Sequence, residues 1–288
     1  MAGSREPRAI GRPASHAALI FLACCFFAAC GASRPETAQK TVRVTTWNIH
    51  HGEGTDGTVD IDRIAKLIVD ERIDVVALQE VDRGIPRSKK IDIITALADK
   101  TDRTYAFGKT IDYQGGEYGN GFLTRFPILE ERNILLKETL GREQRAVLLL
   151  VLEIQGEEVV VANTHLDSRK DDSARIAAVR ELKPILAGYA PKPALLLGDM
   201  NSQPGSRTIG DLSELMADVW PLAGKGDGFT FPSTSPEGRI DYVFTLKRQT
   251  RDSLSTRTQF LPVTARVAKS VASDHLPLIV EFTFTTEH

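Results

Sequence analysis

The chain has 288 residues, 42% of them hydrophobic and 26% charged, which suits one globular domain of about 250 residues and excludes a disordered or fibrous chain. Its formal net charge of −2 leaves no uniform basic field with which to coat a nucleic-acid duplex. All three cysteines, Cys24, Cys25 and Cys30, fall within the first 30 residues, so the folded part holds no disulfide and no thiolate metal site.

Residues 1–30 read as an export signal. Arg5, Arg8 and Arg12 form a basic start, and Ala17 to Ala29 is an apolar run of 13, too short to cross a bilayer comfortably. The small residues ahead of the last cysteine, in Phe27-Ala28-Ala29-Cys30-Gly31, resemble the signal of a bacterial lipoprotein, which would anchor the chain in the cell envelope through a lipid on Cys30. Cleavage at an Ala-x-Ala-like site is the alternative and would give a periplasmic or secreted protein. Residues 31–40, polar and containing Pro35, read as a tether. A single domain then runs over 41–288, with no second linker and no repeat.

Within it, Val42 to Trp47 predicts a strand, Ile61, Ile64, Ala65, Leu67 and Ile68 a helix, and Val75 to Leu78 a short buried strand. A helix is expected around Ile91 to Lys100. Strands follow at Tyr105 to Lys109, Gly121 to Thr124, Ile134 to Leu136, Ala146 to Ile154 and Val159 to Asn163, the last two joined as a hairpin through residues 155–158. A helix over Ser173 to Ala187, a strand at Ala194 to Leu197 and another at Tyr242 to Leu246 complete the pattern. Strands and helices mixed in this order point to stacked sheets covered by helices.

Five polar clusters are expected to follow directly on apolar strands: Trp47-Asn48-Ile49-His50, Leu78-Gln79-Glu80, Asn163-Thr164-His165-Leu166-Asp167, Gly198-Asp199-Met200-Asn201 and Ser273-Asp274-His275. Arg239-Ile240-Asp241-Tyr242 is a sixth, ahead of a strand. Singly each reads as a turn, a helix cap or a satisfied polar residue. Together their carboxylate and amide oxygens suit a hard cation such as Mg²⁺ or Mn²⁺, and two histidines supply acid–base or phosphate-binding groups.

The order of these pieces resembles the endonuclease/exonuclease/phosphatase superfamily, the DNase I-like hydrolases, over essentially residues 41–284. The matching stretches are Thr45 to Gly52 (TTWNIHHG), Leu78 to Asp82 (LQEVD), Tyr118 to Pro127 (YGNGFLTRFP), Asn163 to Asp167 (NTHLD), Gly198 to Asn201 (GDMN), Arg239 to Val243 (RIDYV) and Ser273 to Pro277 (SDHLP). The resemblance implies an α/β (α+β) chain folded as a four-layer α/β/β/α sandwich of two mixed sheets, and metal-dependent phosphoester hydrolysis. Carried over position by position, it makes Glu80 the principal metal-ligating carboxylate, with Asn48 and Asp274 close to a Mg²⁺ (or Mn²⁺) ion. Asp199 would align or activate the attacking water, and Asn201 would hold the phosphate or a second metal. His275 would bind or protonate the phosphoryl oxygens, Asp241 would accept its other ring N–H, and His165 would be the second histidine, with Asn120 placed to orient it. A salt bridge with Arg239 is the alternative for Asp241. Arg145 is a candidate for a substrate phosphate, and equally an edge charge. Two residues after Asn48, where some relatives have an aspartate, this chain has His50, an added ligand, a phosphate contact or a plain strand-end residue.

The substrate is decided by loops. Residues 111–119 and 169–172 read as short loops with few paired basic and aromatic residues of the kind that follow a nucleic-acid backbone. Arg83, Arg87, Lys89 and Lys90 form one basic cluster, either a head-group contact or a solvated face. With export and an acidic domain, the expectation is a phosphodiesterase acting on a small or lipid-derived phosphodiester at the cell envelope. A secreted nuclease acting on DNA or RNA and a catalytically silent binding lipoprotein are the alternatives, and the domain is expected to be a monomer.

Overall fold

The computed structural model describes residues 41–137, 142–247 and 257–287. The expected export signal, Cys30 and the tether lie outside the described residues. Among those described, no helix is long and apolar enough to cross a membrane.

Strand β1 (Thr41–Asn48) leads through a tight turn into helix α1 (Ile61–Asp70). Asp60 caps that helix by accepting a hydrogen bond from Asp62 N, and Ile61, Ile64, Ala65 and Ile68 bury its inner stripe. Strand β2 (Val75–Arg83), helix α2 (Ile93–Thr101), and strands β3 (Thr104–Tyr113), β4 (Gly116–Thr124) and β5 (Ile128–Leu135) follow. Then come the hairpin of β6 (Ala146–Ile154) and β7 (Glu157–His165), helix α3 (Ser173–Ala187) and strand β8 (Ala194–Asp199). The chain finishes with α4 (Arg207–Ser213), β9 (Met216–Asp218), α5 (Trp220–Ala223), β10 (Asp241–Leu246), β11 (Arg257–Val267) and β12 (Leu278–Glu287).

The strands form two six-stranded mixed sheets, one in the order β11-β12-β1-β2-β4-β3 and the other β5-β6-β7-β8-β10-β9. Each has one parallel pair near its centre, β1 with β2 and β7 with β8, between antiparallel neighbours. Alternation along each strand divides the side chains. Val42, Val44, Val75 and Ala77 of the first sheet meet Leu148, Leu150, Val159, Val161, Leu195 and Leu197 of the second. The opposite face of the first sheet takes α1 and α2 around Trp47, Val76 and Leu78, and that of the second takes α3 and α4 around Val147, Leu196 and Phe244. The result is the four-layer α/β/β/α sandwich that the resemblance implies.

Several elements differ from the expectation. Strand β2 does not stop at Leu78 but runs to Arg83, with its pairing to β4 broken between Leu78 and Val81. Residues 111–119 are no loop: they close the β3–β4 hairpin, turning at Gln114 and Gly115, which both take positive φ. Ile134 and Leu135 end the longer strand β5, and Ser273-Asp274-His275 sits in the loop between β11 and β12 with no strand directly before it. Both β11 and β12 carry mixed polar and apolar residues, so neither stands out as an apolar run.

Candidate active site

The inter-sheet layer changes character along its length. In β1, Val42 and Val44 are succeeded on the same face by Thr46 and Asn48; in β7, Val159 and Val161 by Asn163 and His165; in β8, Leu195 and Leu197 by Asp199. Register then lines these residues up. His165 pairs with Asp199 and Asp199 with Asp241 across the second sheet, and Asn48 pairs with Gln79 across the first. Parallel strands end and antiparallel partners begin at this one edge, so the polar ends of both sheets open into a single cleft of about 410 Å³. Gly198 permits the close approach of β8 to β7, since a Cβ there would lie 2.0 Å from the Thr164 carbonyl oxygen.

Asp199 is the hub. Its Oδ2 accepts from Asn48 Nδ2 at 3.2 Å and lies 3.5 Å from His165 Nε2 and 3.8 Å from His275 Nε2, while Oδ1 accepts from Asn201 N at 2.9 Å. Burial, and then the neighbouring Asp241, push its carboxyl up to about 7. Asp241 Oδ2 is 2.9 Å from His275 Nδ1, and Arg239 turns instead to Asp218 at 2.7 Å. Burial pulls the His275 imidazolium down, but Asp241, followed by Asp199 and Asp274, outweighs it and holds the pKa at about 10. His165 goes the other way: burial, with Arg145 and His275 nearby, puts it well below its usual value. One imidazole is thus cationic and the other neutral at pH 7.

The loop carrying His275 is fastened to β1. The buried Ser273 Oγ donates to the Asn48 carbonyl at 2.7 Å and accepts from His275 N at 3.1 Å, and Trp47 Nε1 donates to the His275 carbonyl at 3.0 Å.

Asn48, Glu80 and Asp274 line the same cleft. Asn48 Nδ2 donates to Glu80 Oε1 at 2.9 Å, and among the described residues neither Glu80 nor Asp274 forms an ion pair with lysine or arginine. Two carboxylates without an ion-pair partner in one cleft fit a hard divalent cation; Asn48 turns Nδ2 toward Glu80 and its Oδ1 accepts from His50 N, so its oxygen would join them only if the amide turned over. Asp199, Asp241 and His275 also bring their ligand atoms within 4.8 Å of one another. Those atoms are already joined by the Asp241–His275 hydrogen bond, and His275 is cationic, so this trio suits proton handling better than metal binding.

Of the remaining candidates, Asn201 and Arg145 line the cleft. Asn201 Nδ2 donates to the Leu166 carbonyl, and Arg145 faces Glu143 at 2.8 Å with its buried Nε lacking a protein partner. Asn120 does not line the cleft: its buried amide is spent on the Ala146 carbonyl rather than on His165. His50 is also absent from the lining; its backbone N–H donates to Asn48 Oδ1, in a turn where His50 and His51 both take positive φ. Of the basic cluster, Arg87 alone reaches the cleft, held by the fully buried Asp82 at 2.8 Å and lying over the rings of Tyr113 and Tyr118. Arg83 pairs with Asp92 and Glu117. Tyr113, Tyr118 and Ile111, on the hairpin read as a loop, form a cleft wall that the sequence reading missed.

The family model described as the Endonuclease/Exonuclease/phosphatase family matches residues 45–275. The uncharacterised protein YbhP of Escherichia coli is 26% identical over 262 residues, covering 85% of this chain and 98% of its own. Among solved structures, an endonuclease/exonuclease/phosphatase from Beutenbergia cavernae matches with a TM-score of 0.67 at 24% identity, over 85% of this chain and 72% of that one. A mannosyl-6-phosphatase of Bacteroides thetaiotaomicron matches with a TM-score of 0.67 at 19% identity, over 84% and 100%. At these identities the two structures share the fold with this chain.

Proposed function

Because the chain belongs to the endonuclease/exonuclease/phosphatase family, and with it to the metal-dependent phosphoester hydrolases, we propose that it cleaves a small phosphodiester at the cell envelope. The observation that carries the diester is the charge balance of the cleft. Its lining carboxylates are Glu80, Glu143, Asp199 and Asp274, and both of its arginines already face a carboxylate, Arg87 on Asp82 and Arg145 on Glu143, which leaves the His275 imidazolium and a bound cation to balance the substrate's charge. A monoanionic diester needs less compensating charge there than a dianionic monoester. A cleft of about 410 Å³ accepts a head group or sugar phosphate, at the lower end of the range for small-molecule sites. The basic, then apolar, leader and Cys30 support an envelope location.

Glu80 and Asp274, beside Asn48, would hold a divalent cation, which would supply Lewis-acid chemistry to the phosphoester. Asp199, with its carboxyl at about 7, is poised to take a proton from water near neutral pH. His275 Nε2, 3.8 Å from Asp199, presents an N–H to the oxygen on which charge builds and protonates the leaving oxygen. Asp241 is a positioning residue: it holds Nδ1–H and so fixes the tautomer and tilt of the ring. The neutral His165 adds a hydrogen bond without a second positive charge.

Asp241→Asn is expected to lower kcat by about 100-fold and to move the whole pH profile to lower pH. Loss of this carboxylate lets the His275 imidazolium give up its proton earlier, and it also removes one of the groups that raise Asp199. A pH–rate profile with unmoved limbs would contradict the pairing. For substrate class, the full chain with Mn²⁺ is expected to cleave bis-p-nitrophenyl phosphate and glycerophosphodiesters faster than p-nitrophenyl phosphate or duplex DNA. A monoester preference would align it with the mannosyl-6-phosphatase of similar fold, and salt-sensitive DNA cleavage with the nucleases; either result removes the diester reading.

A further inference from the structure

The break in β2 is what aims Glu80. Leu78 pairs with Gly121 and Val81 with Gly119, so Gln79 and Glu80 together face the single residue Asn120, a β-bulge. Glu80 takes φ +59, a left-handed conformation rare for a residue with a side chain. The bulge also shifts the strand's alternation. Val76 and Leu78 face the helices, as does Val81 three residues on, so Gln79 is left in the inter-sheet layer and Glu80 lines the cleft.

Gln79 and Asn163 close this bulge from opposite sheets. Gln79, fully buried, donates through Nε2 to Asn163 Oδ1 at 2.7 Å and to Thr46 Oγ1 at 3.1 Å. Asn163, also fully buried, donates through Nδ2 to the Leu78 carbonyl at 2.8 Å and the Gly121 carbonyl at 2.9 Å, the two carbonyls beside the break. Asn163 stands on β7, two residues before His165. One pair of amides therefore ties the strand that carries a metal-binding carboxylate to the strand that carries an acid–base histidine. A merely structural cross-brace could sit anywhere in the apolar inter-sheet layer; this one sits on the bulge, with its donors matched to the carbonyls that flank it.

We infer that Gln79 and Asn163 are positioning residues: their inter-sheet clasp holds the bulge that presents Glu80 to the cation and sets its spacing from His165 and Asp199. The inference rests on the proposed metal-dependent hydrolysis for its consequence in turnover, but its effect on cation binding is read without turnover. Gln79→Met keeps the side-chain volume and removes Gln79's part of the clasp, leaving Asn163 Oδ1 without its donor. In the full chain it is expected to raise the Mn²⁺ dissociation constant, measured by titration calorimetry, at least about tenfold, with kcat falling alongside. Leu152→Val and Leu152→Ala, which thin the apolar end of the same layer, bracket the loss of stability and are expected to leave the Mn²⁺ dissociation constant within about twofold. Thr46→Val, which deletes only the hydroxyl that Gln79 Nε2 reaches, serves if Gln79→Met does not fold, and is expected to shift the constant in the same direction by less. An unchanged Mn²⁺ dissociation constant in the clasp variants, or an equal rise in the Leu152 variants, overturns the inference. A wild-type chain that binds Mn²⁺ but hydrolyses no phosphoester overturns the proposed function instead, and leaves the clasp to be judged by its effect on binding.

Discussion

Asp199→Asn is expected to lower kcat by about 1,000- to 10,000-fold while the chain stays folded. The carboxyl is the point where the two sheets meet chemically, with Asn48, Asn201, His165 and His275 all directed at its two oxygens. An amide keeps the shape and one acceptor but cannot take a proton from water. The same variant carries a stability signature. Because the folded carboxyl titrates at about 7 rather than at its ordinary 3.8, the folded wild type binds more protons than the unfolded chain between those values, and so loses stability as pH rises through that window. The asparagine variant lacks this loss. Its stability relative to wild type, compared by thermal unfolding in EDTA, is expected to shift in its favour from about pH 4 to about pH 7 and to level off above. The difference cancels the titrating groups that Asp199 does not influence; His275, which Asp199 helps to hold cationic, gives up its proton earlier in the variant, above this window.

Glu80→Gln is expected to weaken Mn²⁺ binding by about 100-fold and to lower the rate at limiting Mn²⁺ by a similar factor. The glutamine retains Oε1 for the Asn48 amide, so the bulge and its neighbours survive and only the negative charge is lost. High Mn²⁺ should recover part of the rate, as expected of a ligand rather than of a proton carrier. An Mn²⁺ affinity equal to that of wild type would move the cation to the Asp199, Asp241 and His275 group.

These two expectations differ in how far the sequence alone supports them. The row of His165, Asp199 and Asp241 was legible in part: each lies next to an apolar strand expected from the sequence, while the register that lines the three up, each inside its strand, comes from the structure. The pairing of Asp241 with His275 followed from the resemblance, and the structure finds Arg239 occupied by Asp218. The sequence places Glu80 just past the end of a strand, whereas it is the extra residue of a bulge in the middle of β2. Nothing in Leu-Gln-Glu-Val signals that break, since it depends on the partner strand, which a single sequence does not display. What could have been seen is the change from apolar to polar at constant parity: Val42, Val44, Thr46, Asn48 in one strand and Val159, Val161, Asn163, His165 in another. That pattern marks Thr46 and Asn163 as inward-facing polar residues, which need partners from the opposite sheet. The cleft wall of Ile111, Tyr113 and Tyr118 was lost by taking a hairpin for a loop, because Gln114-Gly115-Gly116 reads as flexible chain when its turn geometry is not considered. Asn120 was misplaced for a different reason: a motif gives the residue but not which neighbour its amide satisfies, and here that neighbour is the Ala146 carbonyl.

The proposed hydrolysis needs one cleft to join a carboxylate cation site to a buried carboxyl–imidazole pair, both acting on a phosphoester. The most direct test is the rate of bis-p-nitrophenyl phosphate hydrolysis by the purified full chain in Mn²⁺, in EDTA and in EDTA followed by excess Mn²⁺, with Asp199→Asn run in parallel. Hydrolysis that EDTA abolishes, Mn²⁺ restores and Asp199→Asn lacks is the result expected here. Hydrolysis that persists in EDTA, or that Asp199→Asn retains in full, would contradict it.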